Sequence, residues 1–494
     1  MSVPPQLLEL KTIGDLRTRG YRSVSVKDEL RRNLIDRLQS GDPVFPGILG
    51  FDDTVIPEIQ NAILARHNLI LLGLRGQAKS RIIRMLPSLL DEHIPMIMGT
   101  ELNDDPFAPA SRKGLQMVAE MGDDTPIEWL PRSRRFGEKL ATPDTTIADL
   151  IGDIDPIKAA TRKLTYADEE VIHFGIIPRT NRGIFAVNEL PDLPPRIQVG
   201  LLNVMEEQDI QIRGFPVRIP LDLLLVFTAN PEDYTNRGSI ITPLKDRIDS
   251  QIITHYPRSI EIGSRITQAE AWYDRGGPVK VNIPHYFREI IEHIAVEARA
   301  SEYVDQRSGV SVRLTRSAIE DLVSAAERRA LINGETETTV RISDLQFVEP
   351  AITGKVELVY EGEQEGPQNV ARLLIGRAVK AVFKKYFPEI EHRSTERSTF
   401  QPVIDWFSEG NGLDLSIQLP HAEFNARLQS VSGLSRLVPA KVLGISNPGE
   451  KAVAMEFVLE ALHQHSLLGK DRLDAGVSYN DLMGSMLGNL DLED

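Results

Sequence analysis

Apolar residues follow a repeating pattern between about residues 46 and 256, where amphipathic helical segments alternate with short, continuous apolar runs. The predicted strands are Leu69 to Leu72, Gly183 to Val187 and Leu223 to Thr228, and helices are predicted from Val55 to Arg66 and from Ser80 to Leu90. Strands that are apolar throughout are typical of parallel sheets buried on both faces. The pattern therefore predicts an α/β fold, with a parallel sheet flanked by helices.

The pattern changes further along the chain. Alternating apolar and polar residues from Asp209 to Pro220 predict a β-hairpin inserted before the strand at Leu223. Residues 257–345 are mostly helical, with amphipathic segments from Tyr286 to Ala300 and from Ser317 to Ile332. Later elements are a strand at Lys355 to Tyr360, an acidic turn at Glu361 to Gly366, helices near Val370 to Phe387 and Ala452 to Leu468, and an acidic tail from Gly469.

Four parts are predicted from these patterns. An N-terminal extension covers residues 1–45, and an α/β core covers 46–256. A helical domain covers 257–345, and a mixed α/β C-terminal domain of unassigned role covers 346–494. A length of 494 residues is enough for about three domains with cores of their own.

Composition narrows the functional classes. The net charge of −15 argues against a protein that coats nucleic acid or an anionic membrane. The absence of cysteine excludes disulfides, thiolate zinc sites and thiol nucleophiles. No apolar run approaches the ~20 residues that span a bilayer, and the first residues do not resemble a signal peptide. We therefore expect a soluble cytoplasmic protein.

The turn after the first strand carries the first candidate chemistry. It reads Gly73-Leu-Arg-Gly-Gln-Ala-Lys-Ser80 and joins a strand to a helix, as a P-loop does. In a P-loop, backbone N–H groups and the helix dipole hold the phosphates of ATP, the lysine reaches the β and γ phosphates, and the hydroxyl binds Mg²⁺. Ala78 replaces the second glycine of this pattern, and an ordinary turn before a surface lysine is the alternative interpretation. The candidate nucleotide-binding residues are Gly73, Leu74, Arg75, Gly76, Gln77, Ala78, Lys79, Ser80 and Arg81.

Two polar residues end the strand at Gly183 to Val187, at the sheet edge where α/β proteins bind ligands. Glu189 is the candidate general base for an attacking water. Asn188 is a candidate to hold Mg²⁺ through water beside Ser80, but its amide carries no charge and we expect weaker binding. Ordinary polar capping of a strand end is the alternative.

Three further residues are individually weak candidates. Asn230 follows the strand at Leu223 and is suited to hydrogen-bond a γ phosphate or the lytic water. Arg247 could reach the nucleotide of a neighbouring subunit, or simply pair with Asp246 or Asp249. Arg313, near the start of a helix, could contact phosphate and couple a lid to nucleotide state, or be a solvated arginine.

The order and spacing of Lys79, Glu189, Asn230, Arg247 and Arg313 strengthen these interpretations. At this point the sequence resembles the AAA+ ATPases, and within them the MoxR and magnesium-chelatase subunit I group. The resemblance covers residues 45–345, and it implies that 46–256 is a nucleotide-binding core and 257–345 a helical lid domain. Supporting stretches are FPGILGFDDT at 45–54, the insert at 152–182, the hairpin at 209–220, and FTANPEDYTNRGSIITPLKDRID at 227–249.

The resemblance implies a role for each residue. Lys79 and Ser80 would bind ATP and Mg²⁺, Glu189 would activate water, and Asn230, Arg247 and Arg313 would be the first sensor, the trans arginine finger and the second sensor. It also implies a homo-oligomeric ring, typically a hexamer, that remodels or matures a partner protein. Such partners often carry a von Willebrand factor A (VWA) domain, and some of these rings serve metal insertion. Since Ala78 and Asn188 depart from the family pattern, slower hydrolysis is expected.

Two other functions are compatible with parts of this pattern. One is a nucleotide-gated assembly scaffold with little or no hydrolysis. The other is a σ⁵⁴-type transcriptional activator, which ranks lower because the GAFTGA loop and a basic helix-turn-helix are both missing. The cluster of Arg132, Arg134 and Arg135 has no aromatic platform for nucleic acid, so pairing between ring subunits is favoured.

Overall fold

The computed structural model describes residues 7–155, 171–212, 218–230, 239–387, 399–473 and 476–482, together with the single residues 157, 161 and 390. The chain divides into two units, Met1–His255 and Tyr256–Asp494. Within the described residues, none of the helices has both the length and the apolar character needed to cross a membrane.

The first unit alternates helices and strands. Its described helices are α1 Ile13–Thr18, α2 Val26–Ser40, α3 Val55–Leu64, α4 Lys79–Met85, α5 Arg112–Met121, α6 Ile147–Leu150, α7 Ile176–Arg179, α8 Pro195–Glu206 and α9 Thr242–Asp246. Its described strands are β1 Leu69–Leu72, β2 His93–Ile97, β3 Ile127–Pro131, β4 Phe136–Leu140, β5 Gly152–Ile154, β6 Ile172–Phe174, β7 Gly183–Asn188, β8 Asp209–Gln211, β9 Arg218–Pro220, β10 Leu223–Ala229 and β11 Ser250–Ile253.

Five of these strands form a parallel sheet in the order β11, β1, β10, β7, β4. In its register Leu72 of β1 lies opposite Ala229 of β10, and Leu140 of β4 lies opposite Asn188 of β7. The carboxyl ends of neighbouring strands therefore meet along one edge. The predicted α/β fold class, with a parallel sheet flanked by helices, is confirmed.

Both faces of the sheet are buried, which explains the continuous apolar runs. Ile70, Phe185 and Leu225 belong to a core on one face, while Leu71 and Val226 belong to a core on the other. Successive side chains of a strand point to opposite faces, so a strand covered on both sides needs an apolar residue at every position.

Most predicted elements of this unit are confirmed, with small changes at their ends. The helix predicted from Ser80 to Leu90 is α4 followed by a 3₁₀ turn at Leu86–Leu89. Pro87 lies in that turn, and its missing N–H disfavours continuation of the α-helix. β8 and β9 pair antiparallel as the predicted hairpin, while its tip at 213–217 lies outside the described residues.

The N-terminal segment packs on the sheet. Leu30 and Leu34 of α2 share a core with β1. Glu29 of the same helix pairs with Arg135, and the side chains are 3% and 0% exposed. The predicted inter-subunit pairing is therefore wrong for Arg135, because α2 buries this guanidinium and supplies its counter-charge within the chain.

The second unit is mainly helical. Its described helices are α10 Ile260–Glu270, α11 His285–Ala300, α12 Arg313–Asn333, α13 Glu349–Thr353, α14 Tyr360–Glu365, α15 Pro367–Tyr386, α16 Gln401–Ser408, α17 His421–Ser430, α18 Leu434–Leu437 and α19 Pro448–Gln464. Its described strands are β12 Lys280–Asn282, β13 Glu337–Thr339, β14 Leu413–Ser416, β15 Gly469–Leu473 and β16 Gly476–Asn480.

One hydrophobic core runs through this unit, from Tyr286 of α11 to Tyr479 of β16. Helix α11 packs against α15, which in turn packs against α19. This core includes residues on both sides of the predicted boundary at 345 and 346. The four-part division of the chain stays a prediction.

Three predictions in this unit are wrong. The strand predicted from Lys355 to Tyr360 is only a single bridge between Val304 and Leu358, and the predicted acidic turn is helix α14. Acidic residues in the first turn of α14 favour a helix through its dipole. The predicted tail from Gly469 is the hairpin β15–β16, which adds to β14 and turns Val477 and Tyr479 into the core.

Candidate functional site

The predicted P-loop lies between β1 and α4, where β1 runs into the edge shared with β10. The backbone N–H of Gly73 donates to the carbonyl of Ala229 at 3.1 Å, which joins the start of the loop to the end of β10. Gly76 has a φ of 76°, a conformation that glycine adopts without strain. The chain can therefore turn sharply back toward the helix.

Lys79 is the first residue of α4 and is only 7% exposed. Its ammonium donates to the carbonyl of Gly73 and, at 3.0 Å, to that of Leu74. The positive charge thus lies within the loop rather than on the surface. The alternative of a turn before a surface lysine does not fit this position.

Packing explains the glycine at the start of the loop. A Cβ at Gly73 would overlap Thr254 Oγ1 and Gln77 Oε1. Thr254 follows β11 and donates to Gln77 Oε1 at 2.7 Å. This buried hydrogen bond ties the middle of the loop to the neighbouring strand, and only glycine leaves room for it.

Ala78 adopts the left-handed conformation, with a φ of 57°. A glycine would take this conformation at no steric cost, whereas alanine pays a penalty of about 1 kcal/mol. The loop therefore keeps the backbone path of the glycine-containing pattern even though the residue has changed.

The remaining loop residues occupy different environments. Leu74 and Ser80 are half-buried, while the side chains of Arg75 and Arg81 are exposed. The guanidinium of Arg81 lies beside Gly47, a second residue with positive φ. Gly47 belongs to the stretch at 45–54 that precedes α3, so this stretch contacts the P-loop helix.

Asn188 and Glu189 lie at the end of β7, joined by one hydroxyl group of β10. Thr228 Oγ1 donates to Asn188 Oδ1 at 3.3 Å and accepts from the backbone N–H of Glu189 at 3.0 Å. Glu189 is half-buried and has a φ of 55°. Non-glycine residues held in this region are strained and cluster at functional sites, which supports a functional hypothesis for Glu189.

The amide of Asn188 also contacts a carboxylate that the sequence analysis did not select. Its Nδ2 donates to Oε1 of Glu138, on β4, at 2.5 Å. Arg84 of α4 pairs with the other oxygen of Glu138 at 2.8 Å. The hydrogen bond to Glu138 raises the pKa of Arg84.

Asn230 follows β10, the strand between β1 and β7. It is 9% exposed, and among the described residues its side-chain oxygen Oδ1 has no hydrogen-bond partner. A buried polar atom without a partner costs free energy, so such an atom beside the P-loop suggests a ligand that satisfies the side chain.

Arg247 lies directly after α9 and pairs within the chain with Glu206 of α8, at 2.8 Å. It also donates to the carbonyl of Pro243 at 2.9 Å. Its partner is thus neither of the two aspartates named as alternatives, and one of these, Asp249, accepts instead from the backbone of Asn68.

Arg313 belongs to the second unit, where it begins α12. Its side chain is exposed, and its backbone N–H donates to Ser311 Oγ at 3.1 Å. The first unit thus brings together the P-loop, Asn188, Glu189 and Asn230 along one sheet edge. The roles of Arg247 and Arg313 stay predictions.

The residues present fit a nucleotide better than a protein-held metal. Across the described ranges, no group of three or more His, Asp and Glu side chains is arranged to hold a metal ion. Mg²⁺ commonly binds through one or two side chains together with substrate phosphates. The buried ammonium of Lys79 fits a phosphate-bearing ligand that brings such an ion, and the unpartnered Asn230 oxygen, an acceptor, fits a water bound beside that ligand.

Three residues at this edge escaped the sequence analysis: Glu138, Thr228 and Thr254. Thr228 and Thr254 lie at or just beyond strand ends, which is a usable signal. Glu138 could not be selected, because its relevance depends on the pairing of β4 with β7.

No family model matches the sequence, and no curated protein matches it. Among solved structures, NtrX from Brucella abortus in complex with ADP is 14% identical, with 82% of this chain and 73% of that chain covered and a TM-score of 0.36. Another NtrX structure from Brucella abortus is 14% identical, with a TM-score of 0.33. That match covers 59% of this chain and 54% of that chain, so this chain spans about half the length of that structure. A complex of magnesium chelatase subunits BchI and BchD is 17% identical, covers 65% of this chain and 98% of that chain, and has a TM-score of 0.33. Identities and TM-scores this low leave the function to be inferred from the residues of the chain itself.

Proposed function

We propose that this chain is an AAA+ ATPase of the MoxR and magnesium-chelatase-like kind, which binds ATP with Mg²⁺, hydrolyses it and uses the energy to remodel a partner protein. The observation that carries the proposal is the buried Lys79 ammonium inside a loop that begins at the aligned ends of β1 and β10. A buried ammonium is costly unless it serves a ligand or a fixed structure, and phosphate is the ligand that this strand, loop and helix arrangement holds.

Each side chain has a distinct task in this proposal. Lys79 stabilises charge on the β and γ phosphates. Glu189 accepts a proton from the attacking water, and Asn230 orients that water or the γ phosphate. Ser80 and Asn188 would hold Mg²⁺, which when bound neutralises part of the phosphate charge.

Hydrolysis in this proposal requires a second copy of the chain. Arg247 acts as a trans finger by leaving Glu206 and reaching the nucleotide of its neighbour. The Arg247–Glu206 pair is partly exposed, with side-chain exposures of 32% and 54%. Exposed ion pairs contribute about 0–1 kcal/mol to stability, so breaking the Arg247–Glu206 pair costs little free energy. Arg313 in the second unit would sense the nucleotide, and the ring would be a hexamer.

The proposed partner is a protein with a VWA domain that the ring matures or loads with metal. This part of the proposal rests on the resemblance of the sequence to the MoxR and magnesium-chelatase group. A nucleotide-gated scaffold is the second candidate. It is favoured by the strained alanine in the loop and by the neutral Asn188, both of which slow hydrolysis more than they weaken binding. The motor and the scaffold differ in their expected rate of ATP hydrolysis rather than in their expected affinity for ATP.

Nucleotide binding is the first test. Titration of the full chain with a fluorescent ATP analogue should show saturable binding, which Lys79→Ala should weaken at least tenfold. Lys113→Ala is the matched control, because Lys113 is an exposed lysine of α5 that donates to the carbonyl of Gly99, outside the P-loop. Equal affinities for wild type and Lys79→Ala would overturn the proposal.

A further inference from the structure

In the proposed magnesium site, the residue at the end of β7 is the neutral Asn188 rather than a carboxylate. The neighbouring strand β4 carries a carboxylate beside it, that of Glu138. We propose that Glu138 of β4 supplies the carboxylate that this site lacks at residue 188, acting on the hydration shell of Mg²⁺, and that Asn188 also positions the Glu138 side chain. The inference rests on the proposed nucleotide-binding function. The negative charge of the site would then lie on β4, one strand along the sheet edge from β7.

The register of the sheet brings the two side chains together. Glu138 lies opposite Ala186, and Leu140 opposite Asn188, in the parallel pairing of β4 with β7. Residues two apart on a strand share a face, so Glu138 and Asn188 lie on the same side of the sheet. The 2.5 Å hydrogen bond from Asn188 Nδ2 to Glu138 Oε1 is the consequence.

Helix α4 carries both Ser80 and a side chain that pairs with the same carboxylate. Arg84, which pairs with Glu138 at 2.8 Å, follows Ser80 by four residues on this helix. Residues four apart lie on one face of a helix. Glu138 therefore pairs with a side chain that starts from the same face of α4 as the hydroxyl proposed to bind Mg²⁺.

The chemistry of Asn188 matches that of a positioning residue. An aspartate at this position would put a second carboxylate within hydrogen-bond distance of Glu138, and like charges so close disfavour ionisation of both. Asparagine has nearly the same shape but donates instead. Thr228 donates to its Oδ1, which turns the NH₂ group toward Glu138.

The carboxylate of Glu138 can accept a further hydrogen bond. An ionised carboxylate offers about four acceptor positions. Asn188 uses one oxygen, and Arg84 Nε contacts both, at 3.2 and 2.8 Å. The side chain is 20% exposed and Arg84 is 63% exposed, so water can reach it. Mg²⁺ usually keeps several waters, and such a water is a suitable donor to Glu138.

The test uses Mn²⁺ as a spectroscopic substitute for Mg²⁺. Free Mn²⁺ is followed by electron paramagnetic resonance while the full chain, saturated with ADP, is titrated. Glu138→Gln should weaken Mn²⁺ binding about tenfold, as expected for loss of an outer-shell partner. Adding Asn188→Asp to Glu138→Gln should restore most of the affinity, because a carboxylate returns to the edge.

Two controls separate the possible failures. ADP affinity measured with Mg²⁺ present tests the proposed function alone: absence of binding by wild type would remove both proposals. If ADP binds and Glu138→Gln keeps wild-type Mn²⁺ affinity, the inference about Glu138 is wrong while nucleotide binding stands. If Glu138→Gln does not fold, the single variant Asn188→Asp tests the inference through its Mn²⁺ affinity and its melting temperature. Two adjacent carboxylates should tighten Mn²⁺ binding and lower the metal-free melting temperature, and unchanged values of both would contradict the inference.

Discussion

Glu29 and Arg135 form an ion pair inside the first unit, with 2.6 Å between Glu29 Oε2 and Arg135 Nη2 and side chains 3% and 0% exposed. Arg135 Nε also donates to the carbonyl of Arg182. Removing one partner of a buried pair leaves an uncompensated charge, which typically costs about 3–5 kcal/mol. We expect Glu29→Gln to lower the free energy of unfolding by about this amount, as measured by urea denaturation.

The exposed pair of Arg17 with Asp123 is the matched control. Its side chains are 59% and 58% exposed. Exposed pairs contribute about 0–1 kcal/mol, so Asp123→Asn should change the free energy of unfolding by less than about 1 kcal/mol. A similar loss for both substitutions would show that burial of Glu29 and Arg135 is not the cause.

The left-handed conformation of Ala78 gives a prediction about the loop. Ala78→Gly relieves the strain but adds freedom to the unfolded chain, so the free energy of unfolding should stay the same or rise by up to about 1 kcal/mol. ATP affinity should be retained or improved. Ala62→Gly, at a buried position in the last turn of α3, should instead destabilise by about 1 kcal/mol. Destabilisation by Ala78→Gly equal to that of Ala62→Gly would contradict the strain at Ala78.

Much of the α/β unit could be predicted because β1, β7 and β10 each contain a continuous apolar run. β4 escaped prediction, since its sequence FGEKL has no apolar run to mark a strand. Glu138 was missed with it, because pairing between distant strands cannot be deduced from local pattern. Lys79, Glu189 and Asn230 could be selected, since each directly follows a recognisable strand or loop. The error at 355–360 arose because a short alternating segment fits both a strand and the approach to a helix.

Glu292 in the second unit gives a pH prediction. It is buried in α11, accepts from Thr267 Oγ1 at 2.5 Å, and burial raises its pKa from 4.5 to about 7. The folded state therefore holds this proton more tightly than the unfolded state. Its stabilising contribution is full below about pH 4.5 and is lost as the pH rises through about 7, a loss of about 3 kcal/mol.

Glu292→Gln should remove this part of the pH dependence. The difference in free energy of unfolding between wild type and variant, measured by urea denaturation at pH 5 and pH 8, should shift by up to about 3 kcal/mol in favour of the variant at the higher pH. The exposed Glu302 is the control, and Glu302→Gln should show no such shift. Parallel curves for wild type and Glu292→Gln would contradict the raised pKa.

Complementation between subunits tests the role of Arg247. Arg247→Ala and Lys79→Ala should each lose at least about 10³-fold in ATP turnover, as expected for loss of an arginine finger or of the P-loop lysine. A mixture of the two variants should recover part of the activity, because Lys79 of one subunit can meet Arg247 of another. Glu206→Gln should keep wild-type turnover. Mixed oligomers that form without recovering activity would argue against a trans finger.

Steady-state ATP hydrolysis by the full chain, measured across protein concentration beside Glu189→Gln, tests the central claim most directly. We expect turnover per subunit to rise with concentration as rings form, and Glu189→Gln to bind ATP with wild-type affinity while losing turnover by at least about 100-fold. A wild-type rate no higher than that of Glu189→Gln, with ATP still bound, would contradict an ATP-driven motor and favour the nucleotide-gated scaffold.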